Sequence, residues 1–399
     1  MMAFRPTDEE VLDDVPSISK SSSTCSTTSG SETDLICSGD HGEYLSSFPT
    51  KTSCWNIHCL ESLGIFYNTT YHPSPLDILS IVNEELEIFG PLTDDQKILV
   101  EKIQKSVILN TSMFDEDIHF KTKLVQKKKK NAAMFLPDLE QNMKNLSNDP
   151  CLGTVKNFLL KVQLMISCQG SYLYGIRQTG APGDMIVDIL KEFCLMCDIV
   201  PIPGSAKKCS MNIHNVNVKS SSDVVLVPMM YRLNAFDKET ACIVTFVEVF
   251  KKTLPAEMVR LQSVRAQQKT RKTRSTPDGS ESESDVKPEP SIYQDVPPRF
   301  LGQHGGDLLI HKDIYGGNLS KGRMFRYLPG VICIGTRVIF TLLKIAGTHL
   351  REIMTMSKFD TIKTSSKATI YYSEPRDLLK KEDRDILVET FVRLNNIDV

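Results

Sequence analysis

Apolar residues recur every three or four positions through Leu76, Ile78, Leu79, Val82, Leu86 and Phe89, the spacing of one helix face. Pro75 opens that helix and Gly90-Pro91 stops it. The same rhythm returns from Asp94 to Leu109 (Ile98, Leu99, Ile103, Val107, Ile108) and from Thr154 to Cys168 (Val155, Phe158, Leu159, Val162, Ile166). Residues 49–174 therefore read as a helical amino-terminal region. From residue 175 on, the pattern changes. A helix opening at Gly183-Asp184 carries Ile186, Ile189, Leu190, Phe193 and Leu195 on one face, and Asn212 to Val218 alternates as one half-buried strand. Two continuous apolar runs follow, Asp223 to Val227 and Ile243 to Phe250, of the kind that forms strands covered on both faces. Arg299 to Ile310 fits a helix. Val331 to Ile334 and Val338 to Leu343 flank a tight Gly335-Thr336-Arg337 turn, a hairpin signal. Ser357 to Tyr372 adds extended structure, and a helix from Leu378 to Leu394, capped by Asp377, ends the chain. The pattern predicts an α/β fold, a small mixed sheet flanked by helices, behind the helical amino-terminal region.

Composition bounds the ordered part. Residues 1–48 are rich in Ser, Thr, Asp and Glu and too poor in large apolar groups to offset the entropy of ordering, so they read as a disordered tail. A disordered insertion is expected at about 253–297. It contains basic Lys269-Thr270-Arg271-Lys272-Thr273-Arg274, an acidic serine-rich stretch from Asp278 to Asp285, and several prolines after Lys287. The α/β domain spans 175–399 around it.

Each apolar run carries one acid, Asp223 and Glu248, where burial makes a carboxylate expensive unless it is paired, hydrogen-bonded or bound to a metal. Lys251 and Lys252 follow the second acid directly. Acids on adjacent strands with lysines beside them suit metal-dependent phosphodiester chemistry. Read from the residues alone, the acids also fit strand ends reached by water.

The order helix, strand, strand with Asp, strand with Glu and Lys, helix, hairpin, helix resembles the PD-(D/E)xK nuclease superfamily, in particular a branch found beside restriction-type and Crinkler-like effector domains. The resemblance is carried by Thr179 to Leu190, Ser220 to Val227, Val247 to Lys252, Gly330 to Phe340 and Tyr372 to Leu379. It covers residues 175–399 and implies a restriction-endonuclease-like core. It further implies that Asp223 and Glu248 hold Mg²⁺, which polarises the phosphate and lowers the pKa of a bound water. The lysine would orient that water, and Asp188, ahead of Glu192, would support the site from the helix. The family spacing is Glu, one residue, Lys, so that both side chains share a strand face. Here Phe250 occupies that position; Lys251 points to the other face and Lys252 lies about 6 to 7 Å further along. A decayed lysine position is thus as consistent with these residues as a working enzyme. If the strands pair in the implied order, the two carboxylates converge and Phe250 shares their face.

Other constellations add less. Cys194, Cys197, Cys209 and His214 are zinc-ligand types, but the first two fall within an apolar helix, where cysteine packs as a small hydrophobe. Cys54, His58 and Cys59 beside Trp55 read as a small packed segment. Gly302, Gly305 and Gly306 do not follow a strand as a phosphate loop requires. A net charge of -2 excludes bulk attraction to nucleic acid, so DNA binding would rest on local residues such as Lys269, Arg271, Lys272 and Arg274. No run of about 18 apolar residues suggests a membrane span. The 11 irregularly spaced cysteines suggest an intracellular chain. Val286-Lys287-Pro288-Glu289, a SUMO-attachment pattern, leans it toward the nucleus. Three readings stay open: a Mg²⁺-dependent DNA nuclease, a non-enzymatic nucleic-acid-binding or protein-interaction scaffold on the same fold, and a zinc-stabilised module.

Overall fold

Two ten-residue strands, β7 (Phe325–Ile334) and β8 (Arg337–Ala346), pair antiparallel along their whole length in the computed structural model. The two-residue turn between them starts with Gly335 at φ 58°, a left-handed conformation that glycine adopts without a Cβ penalty. The structure describes residues 48–109, 139–146, 152–172, 182–220, 222–229, 245–250, 289–315, 319, 324–355 and 367–396. Residues 1–47 of the expected tail and most of the expected insertion lie outside them, while Phe48, the tail's last residue, is buried against Trp55. The last part of that insertion does not behave as expected: Ser291–Gln294 forms a 3₁₀ turn, with Ile292 and Val296 fully buried. Two apolar anchors fix these residues where the prolines alone suggested a solvated loop.

Sheet growth proceeds outward from the hairpin. On one side β6 (Thr245–Phe250) runs parallel to β7, β5 (Val224–Pro228) antiparallel to β6, and β2 (Ile199–Pro203) antiparallel to β5. On the other side β9 (Ala368–Tyr372) is antiparallel to β8, and β1 (Ile65–Tyr67) lies parallel to β9. The short β10 (Arg376–Asp377) also pairs with β8, completing an eight-stranded mixed sheet. A separate hairpin joins β3 (Cys209–Ile213) and β4 (Val216–Ser220). The single strand expected from Asn212 to Val218 is therefore the turn of this hairpin. His214 and Asn215 both take positive φ, 49° and 64°, as a two-residue primed turn requires.

The sheet is larger than expected, and the amino-terminal region is not a separate helical layer. Residues from Ser47 onward form one compact unit, to which β1 supplies an edge strand. A strand this short carries too little periodicity to reveal a partner far along the chain, Ile65 opposite Ala368. The helices expected from Leu76 and from Asp94 form, preceded by a short one that the periodicity did not predict. Helix α1 (Ile57–Ser62) is capped by Asn56, α2 (Pro75–Leu86) by a Ser74–Asp77 capping box, and α3 (Asp94–Ser106) by a Thr93–Gln96 box.

Opposite faces of the sheet are covered by different helices, as two adjacent residues of β8 reveal. Phe340 meets Phe391 of α8 (Lys381–Leu394) edge-on at 5.3 Å, and Phe391 meets Phe193 of α5 (Pro182–Met196) at 5.2 Å. Phe158 of α4 (Gly153–Tyr172) extends the aromatic chain at 5.8 Å from Phe193. Thr341 points the other way, and its hydroxyl lies 2.7 Å from Nε2 of His304 on α6 (Pro298–Ile310). Helix α7 (Gly347–Thr355) follows β8. Helix α8 begins later than expected. Asp377 accepts from the Leu379 N–H in a local turn, and Lys380 caps the helix without a side-chain bond. Buried Arg384 fixes that start by donating to the carbonyls of Leu378, Leu379, Val107 and Leu109, thereby closing the end of α3 as well. Burial pushes its pKa down to about 10, so the guanidinium stays charged at neutral pH.

Helix α6 lies against the backbone before α1. A Cβ on Gly302 would stand 2.2 Å from the Asn56 carbonyl carbon and 2.3 Å from its oxygen; one on Gly306 would meet the Trp55 ring at 2.6 Å. Backbone cannot yield as a side-chain tip can. Glycine to alanine inside a helix ordinarily gains about 1 kcal/mol. Gly302→Ala should instead lose about 2 kcal/mol or more through overpacking, measured by urea unfolding. Unchanged or increased stability would refute the close contact.

Candidate functional site

The register of β5 against β6 pairs Val224 with Val247, so Asp223, one residue before β5, stands level with Glu248. The Val249 N–H donates to Asp223 Oδ2 at 2.9 Å, tying that carboxylate to the strand edge. Glu248 is only 2 % exposed. Its level on β7 is Ile332, two residues from Gly330. A Cβ on Gly330 would meet His304, Leu308 and Thr341, which places this face of the sheet under α6.

Helix α6 supplies the partners. Gln303 Nε2 donates to Glu248 Oε2 at 2.9 Å. One turn later Asp307, fully buried, accepts the Ser220 hydroxyl on Oδ1 at 2.5 Å. His311, a further turn on, holds Nδ1 2.8 Å from the Asp307 carbonyl and 3.2 Å from the Ser220 hydroxyl. A carbonyl can only accept, so Nδ1 carries the proton. Glu248 Oε1 and Asp307 Oδ2 are buried without a hydrogen-bond donor. The two carboxyls nevertheless lie within hydrogen-bonding reach of each other. Burial raises the Glu248 pKa well above the ordinary carboxylate value. The charge and contact of Asp307 add to that shift, Asp223 raises it further, and the Gln303 bond pulls it back. Next door, burial holds His304 neutral, its pKa pushed down to about 3.

The remaining expected residues fall elsewhere. Asp188 on α5 pairs with Lys161 of α4 at 3.1 Å, and α5 covers the face opposite α6. The sheet thus separates Asp188 from the α6-facing acids, and it braces two helices rather than supporting Glu248. Glu192, the alternative helix acid, has a buried Oε2 without a hydrogen-bond partner. Lys251, Lys252, Lys269, Arg271, Lys272 and Arg274, and the side chain of Phe250, lie outside the described residues. Cys194 and Cys197 are fully buried, with thiol pKa values raised by burial, as packed core cysteines should be. Cys209 and His214 belong to the β3–β4 hairpin. Among the described residues no three His, Cys, Asp or Glu side chains form a metal-holding group. Cys54 and His58 are exposed, while Trp55 and Cys59 are buried in a small packed segment. The α6 glycines pack against that segment, which explains their clustering without a phosphate loop.

Sequence reading missed Gln303, Asp307 and His311. Their spacing of four places them on one face of the helix and its C-cap, and that polar stripe was the available signal. Compared with protein-family models and with curated proteins, the chain matches none. No helix among the described residues is long and apolar enough to cross a membrane.

The pH dependence of Glu248 has a definite sign. Its folded-state pKa lies above the ordinary 4.5, so its stabilising contribution is full below about 4.5 and is lost as pH rises through the raised value. Glu248→Gln stays neutral throughout. In the presence of chelator the variant should exceed the native chain in stability by about 1 to 3 kcal/mol at pH 8, with the gap closing toward pH 4.5. Urea titrations across that range test it, and parallel pH profiles would contradict a buried acid at this position.

Proposed function

We propose that this chain is a nuclease-like protein on a restriction-endonuclease-like core, with DNA as substrate and Mg²⁺ held at its acidic centre by Asp223 and Glu248. The observation that carries the reading is Glu248, buried in a central strand level with Asp223 and with one oxygen lacking a donor. The element order supports it: helix α5, antiparallel β2, β5 and β6, helix α6, then β7 parallel to β6. The donor set fits the cation, since carboxylate oxygens are what Mg²⁺ takes and a buried oxygen without a donor calls for positive charge. When bound, Mg²⁺ polarises a phosphate and lowers the pKa of a coordinated water. The chain's own residues do the positioning. Gln303 aims Glu248, the Val249 N–H fixes Asp223, and α6 keeps bulk water from Glu248 while Asp223 stays partly exposed.

A second reading, a non-enzymatic scaffold for nucleic acid or protein, is favoured by the depth of Glu248 and by Phe250 at the family's lysine spacing. Incubating the full chain with plasmid DNA separates the two. The nuclease reading expects nicking with Mg²⁺, none with chelator, and a loss of about 100-fold or more in Glu248→Gln. No cleavage with Mg²⁺ or Mn²⁺ refutes it. Salt-dependent DNA binding without cleavage, weakened when Lys269, Arg271, Lys272 and Arg274 are replaced by alanine, supports the scaffold instead.

A further inference from the structure

The β3–β4 hairpin turns one face inward and leaves the other to solvent. Met211, Ile213 and Val218 are buried and Ser220 reaches Asp307 on α6, so strand alternation fixes which residues point out. They are Ser210 opposite Lys219 and Asn212 opposite Asn217, all exposed. Lys208, extended and two residues before Ser210, continues that row. Lys51 widens the face. It bridges Lys219 in parallel, with the Lys219 N–H on the Thr50 carbonyl at 2.8 Å, while its neighbour Thr52 is buried on the inner side. No acid stands among these six outward residues. On the helices, by contrast, exposed lysines are answered: Lys97, Lys105 and Lys161 pair with Asp94, Glu101 and Asp188. Lys51, Lys208 and Lys219 have no such partner among the described residues. Lys51 and Lys219 are also direct cross-strand neighbours, and like charges so placed repel unless an anion lies over them.

We propose that the outward face of the β3–β4 hairpin, with Lys51, Lys208 and Lys219 as its cations, binds the phosphate backbone of duplex DNA. Lysine, serine and asparagine are the side chains that hold phosphate oxygens without reading bases. An acid-free row of cations spread over three strands matches a partner whose charge repeats along its length, as in duplex DNA. The face is also rooted beside the candidate site. The Gly204 N–H donates to the Asp223 carbonyl at 3.0 Å, closing the two ends of the hairpin segment on each other. Lys208 lies four residues after Gly204 and Lys219 four before Asp223, each within about 14 Å of that bond along the chain. The proposal shares with the reading above the choice of DNA, and adds the surface that holds it.

Fluorescence anisotropy of a short labelled duplex with the full chain in chelator, across a series of salt concentrations, tests the assignment without depending on cleavage. Changing Lys51, Lys208 and Lys219 together to glutamine should weaken binding by about tenfold or more at low salt. It should also reduce the log–log salt slope by about 2 to 3, equally for two unrelated sequences. Changing all three to arginine should keep affinity within about twofold of native. Changing Lys97, Lys105 and Lys161 to glutamine removes the same net charge elsewhere and should cost less than about threefold. The hairpin glutamine variant should melt no lower than the native chain, because it relieves repulsion on an exposed face. A lower melting temperature would make the lysines structural and overturn the proposal. So would unchanged binding in that variant, an equal loss in the Lys97, Lys105 and Lys161 variant, or weak binding by the arginine variant. A native chain that binds phosphatidylserine–phosphatidylcholine vesicles but not the duplex, or neither, also overturns it. Duplex held through these lysines but never nicked with Mg²⁺ removes the nuclease reading alone. Nicking that the hairpin glutamine variant retains in full removes this surface alone.

Discussion

A carboxylate in the middle of a sheet must be answered from the layer that covers it, and much of this fold follows from how Glu248 is answered. Strand β6 pairs with β7 along one edge and with β5 as far as Val247 along the other, and beyond that its Val249 N–H is taken by Asp223. The side chain therefore depends on α6, and α6 must come close enough for a glutamine to reach it. Glycines on the far side of the helix permit that approach. Gly302 and Gly306 let α6 sit directly on Asn56 and Trp55, and Gly330 thins the sheet beneath His304. Larger residues at these positions would shift the helix from its seat between that wall and the sheet and disturb the reach of Gln303 to Glu248.

The amino-terminal segment is accordingly part of the same construction. Trp55 donates to the Pro49 carbonyl, packs edge-on against Phe48 at 4.8 Å, and forms with α1 the outer wall on which α6 rests. Strand β1 then carries the chain to the sheet edge beside β9. At the opposite end of the sequence, Arg384 ties α8 to the carbonyls that close α3. The two termini of the described chain thus brace both covers of the sheet. Fully satisfied buried donors of this kind are costly to disturb, because truncation leaves carbonyls without partners.

Long periodic elements were legible in the sequence because their burial pattern is local. The hairpin of β7 and β8, the helices α2, α3 and α5, and the two acid-bearing runs all announce themselves within a short stretch of chain. What escaped depended on distant partners. Strand β1 has only three residues, and the primed turn at His214-Asn215 hides inside an alternation that slips by one position between Ile213 and Val216. Asp188 looked well placed on its helix because periodicity reports which face is polar, but not which side of the sheet the helix will cover. The stripe Gln303, Asp307 and His311 is visible in principle, but polar residues at helical spacing do not say which buried acid they will meet across the fold. The α6 glycines and that stripe are two faces of one helix, the first setting its distance and the second using it.

Ser220, Asp307 and His311 together have the composition of a hydrolytic triad, and their geometry argues against that chemistry. In a triad the serine gives its proton to imidazole, and the acid sits behind the imidazole to hold its tautomer. Here the serine hydroxyl donates straight to the carboxylate, and the imidazole Nδ1 proton is spent on the Asp307 carbonyl and the same hydroxyl oxygen. A hydroxyl whose proton is given to a carboxylate and whose imidazole neighbour already carries its own proton has no base to activate it, and all three residues are buried. The direction of proton donation runs from His311 through Ser220 toward Asp307. It is the direction that orders an acid, and it ends beside Glu248.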